Sequence, residues 1–401
     1  MHTPKSRMAT FFNPTIILFI LTIFSHAIAS SKPHLSDNNP NPIRGAYYPS
    51  WTTKLKPSAI NTTFFTHIYY AFLVPHNTTF KLIVNDQDDA PLLRQFISSL
   101  RSKTPPVKTL FSIGGGGADP TIFSRMAANR TSRSVFINST IDVARTYKFD
   151  GFDLDWEFPK NTTEMKNLDI LLKEWRDAVE YEAKAKKRST PLLITAAVYY
   201  SADKFLDGTE RSYPVKSIND NLDWINVMNY DYHGAWDPSL TGAHAALFDP
   251  KSNLSTAFGI GTWIRAGVLR EKLIMGMPMY GKTWTLKNLS QHGVGAKAVG
   301  VGPGDDGSLT YAEVVSFNKD KNVIRGVFDK ETVSAYSYSV SNRFWVGYDD
   351  PTTVKYKVGF ARALNLGGYF FWAIDQDYKW EISKTLSTLG NEINQHRMHA
   401  A

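Results

Sequence analysis

Nine residues constrain this chain more than any others: Phe149-Asp150-Gly151-Phe152-Asp153-Leu154-Asp155-Trp156-Glu157. As a strand the stretch alternates in period two, so Asp153, Asp155 and Glu157 share one face and Phe152, Leu154 and Trp156 the other. A solvated edge strand would not normally set its acids between Phe, Leu and Trp. Three like charges held this close in a low dielectric cannot all ionise, so at least one should keep a proton near neutral pH. A protonated carboxyl beside ionised neighbours is what a general acid requires. Asp150 falls out of phase with the other three and is assigned to the structure of the strand.

Around this stretch, short apolar runs recur between helical ones. They are Ile43–Tyr48, His67–Leu73, Lys108–Ile113, the acidic strand, Leu192–Tyr200, Asp223–Tyr230, Leu273–Met279 and Gly368–Trp372. Thr163–Lys186, between two of them, places Leu168, Leu171, Leu172, Trp175 and Val179 at helical spacing. Eight strands alternating with helices predict a parallel sheet, closed as a (β/α)8 TIM barrel. An open doubly wound sheet is disfavoured because no phosphate-binding glycine fingerprint follows the first strand. The gap before the eighth strand is too long for one helix. Residues from about Trp284 to Pro351 are expected to form a small α+β insertion, with strands at Thr332–Tyr338 and Phe344–Tyr348.

In such a barrel the chemistry gathers at the C-terminal ends of the strands. Glu157 should stand at the mouth, with Asp155 and Asp153 progressively deeper, and Met228-Asn229-Tyr230-Asp231 brings a phenol and a further carboxylate to the same rim. Tyr47, Phe72 and Trp372 supply aromatic planes around these acids, the usual platform for stacking sugar rings. Asp155 and Glu157, roughly 6.6 Å apart along one strand, are poorly placed to flank a glycosidic bond. A two-carboxylate retaining enzyme sets its acid and nucleophile about 5–5.5 Å apart on opposite sides of that bond. Two options remain: inversion with a base elsewhere, or a nucleophile carried by the substrate. A 2-acetamido group is such a nucleophile; Asp155 would orient its N–H and Tyr230 hold its carbonyl.

The stretch Asp150 to Glu157 resembles the DxxDxDxE signature of family 18 glycoside hydrolases, and Ser112-Ile113-Gly114-Gly115 resembles their SxGG strand. Met228-x-Tyr230-Asp231 and Trp372 match the same family. Gly276–Gly281, Trp345–Pro351 and Gly368–Trp372 are similar to plant class V chitinases in particular. The resemblance runs from about Ile43 to the last helix. It implies a (β/α)8 barrel with an α+β insertion and substrate-assisted retention on chitin, chitooligosaccharide or lipo-chitooligosaccharide chains. It also implies Glu157 as acid/base, Asp155 as acetamide partner and Asp153 as its proton-sharing neighbour. Tyr230, Asp231 and Met228 would complete the site, Trp372 its floor, and Tyr47 and Phe72 its apolar side. Some plant members of similar framework have lost the acid and serve as lectins or inhibitors. A legume branch hydrolyses Nod factors, for which the loops Trp236–Phe258 and Lys287–Gly307 are candidates to house an acyl chain.

The N-terminus predicts a secretory leader over residues 1–29, with Lys5 and Arg7, the apolar Ile16–Phe24 and the cleavage pattern Ala27-Ile28-Ala29. That run is too short to span a bilayer, and no membrane association is expected after cleavage. Residues 30–401 would form the catalytic barrel of a secreted, extracellular protein, with the vacuole as the other destination of the same route. Sequons at Asn61, Asn77, Asn129, Asn138, Asn161, Asn253 and Asn288 fit that route. The chain has no Cys, so disulfides and thiolate metal sites are excluded. His233, His244 and His292 lack ligand spacing, and neither a metal nor another cofactor is expected. The formal charge is +8 without a compact basic–aromatic run, which argues against a nucleic-acid partner and for a basic surface facing solvent or an anionic matrix. A monomer is expected.

Overall fold

The computed structural model describes residues 42–84 and 87–387; the expected leader lies outside them. Eight parallel strands close a barrel: β1 (Ile43–Pro49), β2 (His67–Leu73), β3 (Lys108–Gly114), β4 (Gly151–Asp155), β5 (Leu193–Val198), β6 (Trp224–Val227), β7 (Leu273–Pro278) and β14 (Gly368–Trp372). The first and last strands pair in register, Ile43 with Gly368 and Ala46 with Phe371, so no edge is left open. Helices pack outside the ring, several of them started by a side chain that accepts from the first turn, such as Asn129 for Arg130–Tyr147, Asn161 for Thr162–Ala185 and Ser255 for Thr256–Ala266. Trp175 of the helix Thr162–Ala185 stacks on Phe152 of β4 at 4.7 Å, and its indole N–H donates to Thr140 at 3.0 Å. One aromatic residue thus fastens two helices to the strand that carries the acids.

The insertion departs from expectation at its start. Its sheet begins at Tyr280, four residues before Trp284 and two residues past the end of β7. Its strands are β8 (Tyr280–Leu286), β9 (Ala298–Val301), β10 (Ser308–Thr310), β11 (Val323–Asp329), β12 (Ser334–Ser339) and β13 (Phe344–Tyr348). The pairing of β8 with β13 and β10 draws the chain out of the barrel immediately after Pro278. β4 and β6 are also shorter than their apolar runs. The ladder to β5 ends at Leu154 and that to β3 at Asp155, so Trp156 and Glu157 continue past the strand into the mouth.

Asp150 has the structural role that its phase suggested: its carboxylate accepts from the Thr109 backbone N–H at 2.8 Å and from Arg101 at 2.9 Å, and pairs with Lys108 at 3.2 Å. Among the sequon asparagines, Asn61 is half-buried and the other six are exposed.

His67 begins β2 at the end of the barrel opposite the mouth, edge-on to Trp224 at 4.9 Å, with Nδ1 2.8 Å from the Thr66 hydroxyl. Burial pushes its pKa down to about 4 from 6.5; nearby Asp150 opposes the shift and Lys108 adds to it. The unfolded imidazole therefore binds a proton at a pH where the folded one does not. This stabilising difference is present above about pH 6.5 and is lost as pH falls towards 4. His67→Gln should remove it, so the wild-type loss of stability between pH 7 and 4 should exceed that of the variant by about 3 kcal/mol. Parallel curves in urea melts at the two pH values would refute this.

Candidate active site

The C-terminal ends of the strands enclose a cavity of about 770 Å³. Tyr47, Phe72, Asp155, Glu157, Met228, Tyr230, Asp231 and Trp372 line it, and Asp153 lies beneath its floor, fully buried. The sequence-derived residues therefore converge on one place. The peptide bonds Ala71–Phe72, Glu157–Phe158 and Trp372–Ala373 beside it are cis.

Asp153 accepts from Tyr47 Oη at 2.8 Å, Ser112 Oγ at 2.7 Å, Thr195 Oγ1 at 2.6 Å and, more weakly, Asn226 Nδ2 at 3.4 Å. Burial raises its pKa above the ordinary value and these donors pull it only part of the way back, so of the three acids it is the one best provided for as a carboxylate. Asp155 is held well above the ordinary carboxylate range by burial and by the charges of Glu157 and Asp153. Its carboxyl touches that of Glu157, while Asp153 acts on it through charge. Glu157 is pushed up to about 7, first by burial and then by Asp231. Asp155 Oδ1 is buried and has no hydrogen-bond partner among the described residues. A buried carboxyl oxygen left open in a pair that shares a proton is a place made for an incoming donor.

The walls follow from close backbone approach. Gly115, at φ +85°, donates its N–H to Asp155 O at 2.9 Å, and a Cβ there would meet the Phe72 ring at 2.4 Å. The glycine lets Phe72 stack on Trp372 at 5.5 Å, with Tyr47 edge-on to the same indole at 5.5 Å. The loops Trp236–Phe258 and Lys287–Gly307 contribute none of the lining residues. The exposed apolar side chains at the cavity come instead from Trp51, Val74 and Leu206, which extend from the ends of β1, β2 and β5.

Sequence reasoning missed a second charge system. Asp231 sits at φ +57°, an uncommon conformation for a residue with a side chain. Lys282, projecting from β8 of the insertion, places Nζ 3.5 Å from Asp231 Oδ1 and 3.0 Å from Ser308 Oγ. The ammonium also lies 5.4 Å from the Tyr280 ring centroid and 5.6 Å from that of Trp236. Buried His244 sets Nδ1 3.7 Å from the same carboxylate, while its Nε2 lies 3.1 Å from the Tyr280 carbonyl. Partial desolvation alone would push Asp231, whose side chain is 42% exposed, up; His244 and Lys282 outweigh it and hold the carboxyl below its ordinary range. The only signal in the sequence was a single lysine in Tyr280-Gly281-Lys282, which nothing before the folding of β8 connects to Asp231.

An acid poised near neutrality at the mouth of a barrel, ringed by aromatic planes, defines a glycoside hydrolase of chitinase type. The chain belongs to glycosyl hydrolases family 18, whose family model matches residues 44–377. It is 52% identical over 331 residues to Nod factor hydrolase protein 1 of Medicago truncatula, covering 82% of this chain and 85% of that one. It is 46% identical over 376 residues to class V chitinase CHIT5a of the same plant, covering 93% and 96%. The crystal structure of a class V chitinase from Nicotiana tobaccum in complex with NAG4 superposes with a TM-score of 0.81 at 40% identity, covering 87% of this chain and 98% of that one.

The two charge systems make opposite predictions for Glu157. Asp231→Asn removes the anion that raises its proton affinity, whereas Lys282→Met removes the cation that offsets that anion. In a carboxyl-resolved NMR titration Glu157 should move down in the first variant and up in the second, each by about half a unit to one unit, and Lys282→Arg should leave it in place. Shifts of the same sign in Asp231→Asn and Lys282→Met would rule out this coupling.

Proposed function

We propose that the protein cleaves β-1,4 linkages between N-acetylglucosamine units of chitin-type oligosaccharides, with the substrate's 2-acetamido group as nucleophile and retention at the anomeric carbon. The open, buried Oδ1 of Asp155 beside protonated Glu157 carries this reading. Two touching carboxyls cannot stand on either side of a glycosidic bond, but one can protonate it while the other receives an acetamide N–H.

In the first step Glu157 gives its proton to the leaving oxygen as the bond to the anomeric carbon breaks. The acetamido oxygen closes on that carbon to form an oxazolinium ion, with Asp155 accepting its N–H and Tyr230 donating to the acetamide oxygen. In the second step water attacks the same carbon, Glu157 takes its proton, and the acetamide is released with the sugar in its original β configuration. Trp372 forms the floor on which the reacting ring lies, with Phe72 stacked behind it. The chitooligosaccharide in the tobacco structure supports the substrate class. The presence of Glu157, with its pKa raised to about 7, weighs against a purely lectin-like role.

One observation favours acylated substrates as a second reading. Trp51 (62% exposed), Leu206 (61%) and Val74 (52%) give the cavity an apolar lip that a bare sugar chain does not need. A relative is named a Nod factor hydrolase. Comparing hydrolysis rates of acylated and plain oligosaccharides of equal length decides the matter: the lip predicts a preference for the acylated chain, and cleavage of plain chains alone rejects it.

The main proposal predicts early β-anomer products from a chitohexaose-type substrate, followed by NMR, and a rate lowered roughly 10²- to 10⁴-fold in Glu157→Gln. Activity should fall as pH rises through about 7, where Glu157 gives up its proton. Early α-anomer products would overturn the acetamide mechanism. No cleavage by the wild type, with binding intact, would move the protein to the lectin class.

A further inference from the structure

Parallel topology puts the acids at one end of the barrel and the turns that precede each strand at the other. Three neighbouring turns of that second end carry an unusual density of positive charge. Before and at the start of β3 stand Arg101, Lys103 and Lys108; before β4, Arg145 and Lys148; before β5, Lys184, Lys186, Lys187 and Arg188. These turns are adjacent in space. Arg101 donates to the Lys148 carbonyl at 2.9 Å, and Glu182 is shared between Arg145 at 2.6 Å and Arg188 at 2.7 Å. The carboxylates answering this arc are Asp150 and Glu182. Lys148, Lys184, Lys186 and Lys187 are exposed and form no ion pair among the described residues.

The ordinary account of cations at this end of a barrel is the helix dipole, since every outer helix ends there. It covers Arg101, Arg145 and Lys184, which lie in last turns. It does not cover Lys108, which opens a strand. For Lys148 and Lys187 it accounts for a charge but not for a side chain in the left-handed position just past their helices, at φ +64° and +51°. Those turns are closed by Phe149 N–H to Ala144 O and by Arg188 N–H to Ala183 O, each at 2.9 Å, a geometry in which glycine is the easier residue. At both places the chain carries lysine. The next turn along the ring, before β6, instead balances its charges, Asp220 with Lys216 and Asp223 with Arg176, so the excess of lysines without an ion pair belongs to this arc.

We propose that this arc is a docking surface for a carboxylate-bearing polysaccharide, which holds the enzyme on an anionic matrix with its cleft turned outward. The arc's chemistry suits that partner better than a membrane or a nucleic acid. Among the described residues one large exposed apolar side chain, Tyr181, stands beside these turns, and a single phenol ring is too little to enter a bilayer. The half-buried ring of Tyr147 is covered by the guanidinium of Arg94, and exposed Tyr181 is a single ring, not the series on which successive bases stack. Dispersed ammonium groups on three turns match the repeating charges of a polyuronate chain, and the secretory leader expected at the N-terminus would bring the protein to such a matrix.

The test is retention of the purified protein on immobilised low-ester polygalacturonate across a NaCl series. Lys148→Glu/Lys186→Glu/Lys187→Glu is compared with Lys297→Glu/Lys321→Glu/Lys330→Glu, an equal charge change on exposed lysines of the insertion. A set of Gln substitutions at Lys148, Lys186 and Lys187 guards against unfolding by charge reversal, with circular dichroism as the fold control. The expected result is binding by the wild type that weakens with salt, a loss of at least about tenfold in the arc variants, little change in the insertion variant, and unchanged hydrolysis of soluble chitooligosaccharides in all of them. Equal losses in the arc and insertion variants would reduce the effect to net charge and overturn the proposal, as would no retention of the wild type. Tighter capture by RNA or by anionic phospholipid vesicles through the same lysines would overturn the choice of partner.

Discussion

Everything at the mouth of this barrel rests on the buried carboxylate of Asp153. Its four donors come from β1 (Tyr47), β3 (Ser112), β5 (Thr195) and β6 (Asn226), so a single side chain on β4 ties five of the eight strands through the barrel interior. An ionised group is tolerated there because protein donors replace the water it has lost. This arrangement also fixes the next two acids. With Asp153 the best hydrogen-bonded of the three, Asp155 lies above it and beside another carboxyl, both of which raise its proton affinity, and the Asp155–Glu157 pair shares a proton.

The insertion completes the electrostatics from the other side. Asp231 faces Glu157 with a charge that helps keep that acid protonated, and the charge in turn needs groups that hold it ionised. Lys282 and His244 supply that stabilisation, one from β8 and one from the segment after β6. That segment is itself pinned: Lys357, buried in an ion pair with Asp349, also donates to the Ala245 carbonyl, and the Tyr232 N–H donates to His244 O at 2.9 Å. The lobe is therefore part of the site's charge balance, although none of its residues lines the cavity.

What could be read from the sequence followed period and composition. β2, β13 and β14 fall where their aromatic and β-branched runs place them, and the alternation of Asp153, Asp155 and Glu157 led directly to the floor and rim of the cavity. Boundaries failed where periodicity outlasted pairing. The alternating pattern continues to Glu157, but the partner strands release β4 at Leu154 and Asp155, and strand length is set by the neighbours. The insertion's short strands, such as Ser308–Thr310, carry too few apolar residues to stand out, because their stability comes from cross-strand pairs in a sheet of six. Lys282, Trp51 and Leu206 were out of reach for a different reason. Each acts through a neighbour far away in the chain, and no local rule encodes that proximity.

The closed parallel sheet separates two tasks that a smaller fold would have to combine. Strand ends converge on the cavity, where burial must keep Glu157 protonated, and a dense positive field there would drive its proton off. Most of the lysines of the basic arc instead sit on turns at the far end, with the barrel's packed interior between them and the acids. The side chains of Tyr47, Tyr69, Trp224 and Phe370 fill that interior, and solvent screens the arc from outside. One connectivity thus lets an acidic, desolvated catalytic centre and a basic, hydrated surface share a chain without either setting the other's protonation.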